Sequence, residues 1–170
     1  MRKQSLVLYT LVASLFASTA IAANYDKEDE AAAFASSARA FAAEYGGAYE
    51  AKAMLTRAVA ALKADKAGAI RKFNNNDPQF RDRDLFVFCL NTRDGRYTAH
   101  EAMVGQDARK LVDGAGRDYG RLIYANAADE QMTNVDYMSP IPGSTKLVPK
   151  RAFVTRVGDQ VCGVSTYLVQ

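Results

Sequence analysis

The chain has 170 residues, with 22 basic against 19 acidic side chains, one histidine and two cysteines. That length suits one domain with its own core once an N-terminal leader is set aside. The near-balanced charge, with no basic stripe interleaved with aromatics, argues against a nucleic-acid partner. Two separated cysteines and one histidine are too few for a metal site, and no cofactor is expected.

Met1-Arg2-Lys3 supplies a positive start, Leu6 to Phe16 is mostly apolar, and Ala20-Ile21-Ala22 fits a small-residue cleavage site. Together they read as a secretory signal peptide over 1–22. The apolar stretch is short and broken by Thr10, Ser14, Ser18 and Thr19, which argues against a membrane anchor. No later segment holds the roughly eighteen apolar residues of a span. The expectation is an exported protein of the periplasm, with no transmembrane segment after cleavage.

Glu28 to about Phe73 is rich in Ala, Glu, Lys and Leu and reads as helix. Gly46-Gly47 interrupts it. The first part, 24–50, is an Ala-rich helical extension. Ala31, Phe34, Ala35, Ala38, Phe41 and Ala42 make a small-residue stripe there. Two partners suit that stripe: the domain's own long helix, or a second copy in a homodimer. After the break, Ala51, Met54, Leu55, Val59 and Leu62 recur at helical spacing and predict one buried face. Asp65 is the expected N-cap of a short helix ending near Phe73. Asn74 to Pro78 is a loop.

The period then changes to two. Strands are predicted at Asp84–Leu90 and Tyr97–His100, joined by a hairpin at Asp94-Gly95. Arg81 to Arg83, with Asp82 and Asp84, reads as a solvated lead-in with local ion pairs worth little. Met103 to Asp129 is a polar, Gly-punctuated crossover with a helix at Arg117–Ala128. Three strands follow, at about Gln131–Ser139, Lys146–Arg156 and Val161–Val169. The order predicts an α+β domain over 51–170, with one antiparallel sheet against a long helix. Cys89 and Cys162 lie in the apolar runs "LFVFCL" and "VCGVSTYLV". Export favours a disulfide between them, the alternative being two buried free thiols.

The runs "FRDRDLFVFCLNTRDGRYTAH", "MVGQDARKLVDGAGRDYG" and "VDYMSPIPGSTKLVPKRAFVTRVGDQVCGVSTYL" resemble the single-Cache family of extracytoplasmic sensor domains, type two. The most specific part is Tyr137, Pro142-Gly143, Lys150, Phe153 and Val154. The resemblance implies a PAS-like five-stranded sheet in the order 2-1-5-4-3 behind a long N-terminal helix. It also implies binding of a small molecule, often a short carboxylate, and a signal passed to a kinase or chemoreceptor. Those receptors carry flanking membrane helices, and none is legible here after the leader.

Turn geometry assigns the sheet faces. A turn at Pro142–Thr145 pairs Tyr137 with Lys150, side by side on one face. A turn at Gly158-Asp159 pairs Lys150 with Tyr167 and Ala152 with Ser165, and sends Phe153, Thr155 and Cys162 to the other face. A bridged Cys89 must share the face of Cys162, which puts Phe86 and Phe88 with Lys150. In the first hairpin a two-residue loop would put His100 with the cysteines. A three-residue loop, Arg93 to Gly95, pairs it with Phe88. The second suits Thr92-Arg93-Asp94-Gly95 and agrees with the resemblance.

The candidate ligand-binding residues are therefore Phe88, His100, Tyr137, Lys150 and Tyr167, with Phe86 beside them. A lysine in a partly dry hollow needs an anion, and a ligand carboxylate would supply it. The competing reading has Lys150 snorkel to water, with the aromatics as ordinary core. No nucleophile elbow, phosphate loop or placed triad is present, so no enzyme is expected. Two functions fit: an exported sensory module for a small organic anion, or a scaffold that kept the fold without a ligand. Either could engage a membrane signalling protein or a transporter.

Overall fold

The computed structural model describes residues 27–168; the leader expected over 1–22 lies outside them. The chain divides into two compact units, Met1–Ala43 and Glu44–Gln170. The second begins ahead of Ala51. The described part of the first is helical, in a helix that runs over 27–44 and is called α1. On α1, Phe34 is 68% exposed.

In the second unit α2 spans Ala48–Ala64 and α3 spans Lys66–Asn74. The break at Gly46-Gly47 has a packing reason. A Cβ at Gly46 would lie 2.3 Å from the Leu85 side chain, so only glycine lets the backbone rest there. Gly47 is the extended N-cap of α2, and its N–H donates to Glu50 Oε2 at 2.7 Å. Asp65 caps α3 by accepting from Gly68 N. The predicted stripe is the buried one, with Ala58 joining Ala51, Met54, Leu55 and Leu62 and Val59 at its margin.

The strands are β1 (Arg81–Asp82), β2 (Leu85–Asn91), β3 (Tyr97–Ala99), β4 (Thr133–Pro140), β5 (Leu147–Val157) and β6 (Gln160–Tyr167). Helix α4 covers Tyr119–Asn126, inside the span expected for it, and a 3-10 turn covers Ala108–Lys110. Every strand pairing is antiparallel, β3 with β2, β2 with β6, β6 with β5 and β5 with β4. Read through the five longer strands this is the expected 2-1-5-4-3 order; β1 is an additional two-residue strand on β2.

Side-chain alternation divides the core in two. Leu85, Val87, Cys89, Ala99, Phe153, Cys162 and Val164 face α2 and α3. Phe88, Leu90, Tyr97, Val135, Ala152, Val154 and Val161 face the crossover, where Ala108, Ile123 and Ala127 meet them. Cys89 and Cys162 are direct cross-strand partners and form a disulfide, on the helix side. At a sequence separation of 73, the bridge removes denatured-state entropy worth about 4 kcal/mol in the loop-closure account.

Two expectations are corrected. The first hairpin has a four-residue loop, in which Asn91 N donates to Arg96 O and Gly95 N to Asn91 O. Leu90 then pairs with Tyr97 and Cys89 with Ala99, so a bulge absorbs Thr98. The bulge, not the loop length, restores the register that carries His100 onward to the Phe88 level. The segment before β2 is also more than a solvated lead-in, although Asp82 is exposed. Arg81 pairs with Glu101, Arg83 reaches Glu50 and Tyr45 O, and Asp84 Oδ1 accepts from Gly46 N at 2.7 Å. The expected local pair is present between Arg83 and Asp82, and the longer-range pairs to Glu50 and Glu101 are added to it.

Candidate ligand-binding site

On the crossover side of the sheet lies a cavity of about 190 Å³. At roughly 30 Å³ per water it holds about six waters, the bulk of a small organic molecule. The sheet supplies Phe86, Phe88, Tyr97, Tyr137, Lys150 and Ser165, with His100 just past β3. Met103, Tyr119 and Ile123 come from the crossover and close the other side.

The register is responsible for the grouping. Tyr137 pairs with Lys150, Lys150 with Tyr167, and Ala152 with Ser165, as turn geometry predicts. Residues two apart on β4, β5 and β6 therefore point into one space, which brings in Ser139 and Ser165. Of the five predicted residues, Phe88, His100, Tyr137 and Lys150 line the cavity. Tyr167 does not. It lies 8% exposed with its ring 4.1 Å from Lys150 Nζ, and its hydroxyl donates to Pro140 O at 2.8 Å. It carries the lysine rather than facing the space.

Charge in the site is one-sided. Lys150 is the cation of the lining, and no carboxylate lines the cavity. Burial lowers the lysine's pKa, opposed through space by Asp84 and Glu101. Both of those acids are engaged elsewhere, Glu101 by Arg81 and Asp84 by Gly46 N–H. Among the described residues Lys150 closes no ion pair.

His100 is neutral. Burial is the main cause of a pKa pushed down to about 4, and Lys150 adds to it. Ala102 N donates to His100 Nδ1 at 3.1 Å, so the ring's own proton sits on Nε2 as a donor. Phe86 and Tyr97 meet the imidazole edge-on, with centroids 5.0 Å and 4.7 Å away. Tyr97 and His100 are three apart in sequence and could not share a face of a regular strand; the bulge puts them together. Burial raises the Tyr137 pKa, keeping the phenol a neutral donor. Its ring stacks on Tyr119 at 4.7 Å, so α4 bears directly on the strand residues.

What holds the crossover down was not found from sequence. The Asp113 side chain is 0% exposed and accepts from Ala115 N, Arg117 N, Arg117 Nε and Met138 N. Burial pushes its carboxyl up, and these hydrogen bonds outweigh that and hold it down to about 2. Gly114 N completes the tie by donating to Met138 O. The "DGAGR" run is therefore a clamp onto β4 that fixes the approach to α4. The Asp-Gly-x-Gly spacing was its only visible signal.

No family model matches the chain, and no curated protein matches it. Among solved structures it is similar to a methyl-accepting chemotaxis protein from Vibrio parahaemolyticus RIMD 2210633. The TM-score is 0.55 at 18% identity, over 70% of this chain and 86% of that one. It is also similar to a periplasmic sensor domain of a chemotaxis protein, with TM-score 0.51 at 22% identity, over 71% of this chain and 90% of that one. A weaker likeness, TM-score 0.47 at 17% identity over 71% and 88% of the two chains, is to a Cache chemosensory domain solved for its carboxylic acid recognition. At these identities the likeness is one of fold.

Proposed function

We propose, on the premise that this chain has a single-Cache-type, PAS-like sensor fold, that it is an extracytoplasmic sensory module for a small organic monoanion, a short carboxylate. The observation that carries this reading is the unpaired charge: a desolvated lysine aimed at a small cavity that has no acid in its lining. A carboxylate seated there would pair with Lys150 and accept from His100 Nε2–H and Tyr137 Oη–H. Phe86, Phe88, Met103 and Ile123 would enclose an apolar or lightly hydroxylated tail.

The same lining speaks against two other ligand classes. An amino acid's ammonium would find no carboxylate, and the second charge of a dicarboxylate would find no second cation, since His100 is neutral at pH 7. No helix among the described residues is long and apolar enough to cross a membrane. A membrane signalling protein receives the signal under this reading.

The test is a thermal-shift and calorimetric screen with acetate, propionate, lactate, pyruvate, succinate and glycine. Monocarboxylates should stabilise the protein, by about 2.7 kcal/mol at one hundred times the dissociation constant. Lys150→Met should fold and show no such shift. Equal stabilisation by succinate and glycine, or a response that survives in Lys150→Met, would overturn the reading.

A further inference from the structure

Asp84 is the turn residue just before β2 and lies outside the cavity lining. The β2–β6 register, carried on from the Val87–Val164 pair, sets it opposite Tyr167, the cross-strand partner of Lys150. One of its oxygens, Oδ1, accepts from Gly46 N at 2.7 Å. The other, Oδ2, is buried and has no hydrogen-bond partner. A buried carboxylate oxygen left unpaired is costly, so its retention needs a reason. Gly46 is held from its other side by Thr166, whose hydroxyl donates to Gly46 O. Next to Thr166 is Tyr167, which supports Lys150 on one side and meets the Tyr45 ring at 5.4 Å. The connection between α1 and α2 and the floor of the cavity are thus one packed group, with Asp84 and Lys150 as its opposite charges.

We propose that Asp84 is the internal counter-ion of the cavity, so that an anion settling on Lys150 is taken up together with a proton that lands on Asp84 Oδ2. This rests on the anion reading above. The balance is simple: the ligand brings one negative charge, solvent supplies one proton, and the Asp84 carboxylate becomes a carboxylic acid. No other bond forms or breaks. The new O–H removes the negative charge from the Gly46 hydrogen bond, and charge-assisted bonds are about twice as strong as neutral ones. Ligand occupancy is thereby felt at the backbone that joins α1 to α2.

The charged and titratable groups around Asp84 support this direction. They are Lys150 on β5, Tyr137 on β4, Tyr167 on β6, Tyr45 ahead of α2, and Arg83 beside it. Burial already favours the acid form of Asp84, while Lys150 and Arg83 favour the anion. Arg83 is engaged by Glu50 and Asp82. Lys150 is therefore the opposing charge that a ligand can neutralise.

The first test needs no ligand. Carbon-13 NMR of the Asp84 carboxyl should show its titration midpoint higher in Lys150→Gln than in the natural protein by at least about half a pH unit, a threefold change in proton affinity. The Gly46 amide resonance should follow the same midpoint. Lys150→Met serves the same comparison should Lys150→Gln fail to fold. An unchanged midpoint, or a Gly46 amide that ignores it, overturns the coupling. The second test uses pyruvate, which stays ionised throughout. Its affinity should fall as pH rises through the Asp84 midpoint, by up to about tenfold per pH unit. In Asp84→Asn that slope should vanish and binding above the midpoint should tighten. A slope that persists in Asp84→Asn overturns the proton uptake. Failure of pyruvate to bind counts against the anion reading alone, because the Lys150→Gln comparison still decides the coupling.

Discussion

The Lys150 ammonium rests 4.1 Å from the centre of the Tyr167 ring, and the two residues are direct partners across the β5–β6 pairing. The ring is a weak cation acceptor that leaves the ammonium's N–H groups free for an anion. Tyr167→Phe keeps that platform and loses the bond to Pro140 O. It should cost about 1 kcal/mol of stability and leave anion affinity within about twofold. Tyr167→Leu removes the platform and should weaken the anion about tenfold, close to 1.4 kcal/mol. Denaturant melts and calorimetry on the two variants check this.

The lysine should also show its burial in a pH profile. Its folded pKa lies below the ordinary 10.5 because burial disfavours the charged form. Anion affinity, which needs the ammonium, should therefore disappear as pH rises through that lowered value, before an exposed lysine would lose its proton. Stability moves the other way. The folded state binds fewer protons than the unfolded chain between the lowered value and 10.5, so stability rises with pH across that window. Lys150→Met should abolish both slopes.

His100 makes a separate, acid-side prediction. Its folded value of about 4 lies below the ordinary 6.5, so the unfolded chain holds more protons between the two. The contribution is complete above pH 6.5 and is lost as pH falls through that window towards 4. The loss should be on the order of 2–3 kcal/mol. Denaturant midpoints at pH 7, 6, 5 and 4 in the natural protein and in His100→Gln should differ in slope over that range. Proton NMR should find the imidazole neutral with its proton on Nε2 at pH 7.

Asp113 should behave as a clamp. Asp113→Ala strands four donors, two of them backbone amides of the crossover and one on β4, and should cost about 2–3 kcal/mol. With the approach to α4 loosened, Tyr119 and Ile123 close the cavity less well, and a bound anion should leave faster with little change in its rate of arrival. Stopped-flow release of pyruvate measures this. The clamp should survive mild acid, since its carboxyl stays ionised down to about pH 2.

Much of this was already decided by local chemistry. Gly46-Gly47 had to end a helix, Asp65 had to begin one, and period-two alternation with two short turns set the register of β4, β5 and β6. That register alone brings Tyr137 and Lys150 together, because opposed residues on adjacent strands share a face whatever surrounds them. The sequence also marked His100, by way of a hairpin loop shorter than the real one.

Tertiary structure decided the rest. The bulge at Thr98, which places Tyr97 beside His100, answers to pairing with β2 and leaves no local signature. Asp113 and Asp84 are ordinary acids in sequence. They become a clamp and a buried counter-charge only where distant backbone amides, Met138 and Gly46, arrive to be bonded. Hydrogen bonds and desolvation depend on what the fold brings near, and neither is written in the spacing of the residues concerned.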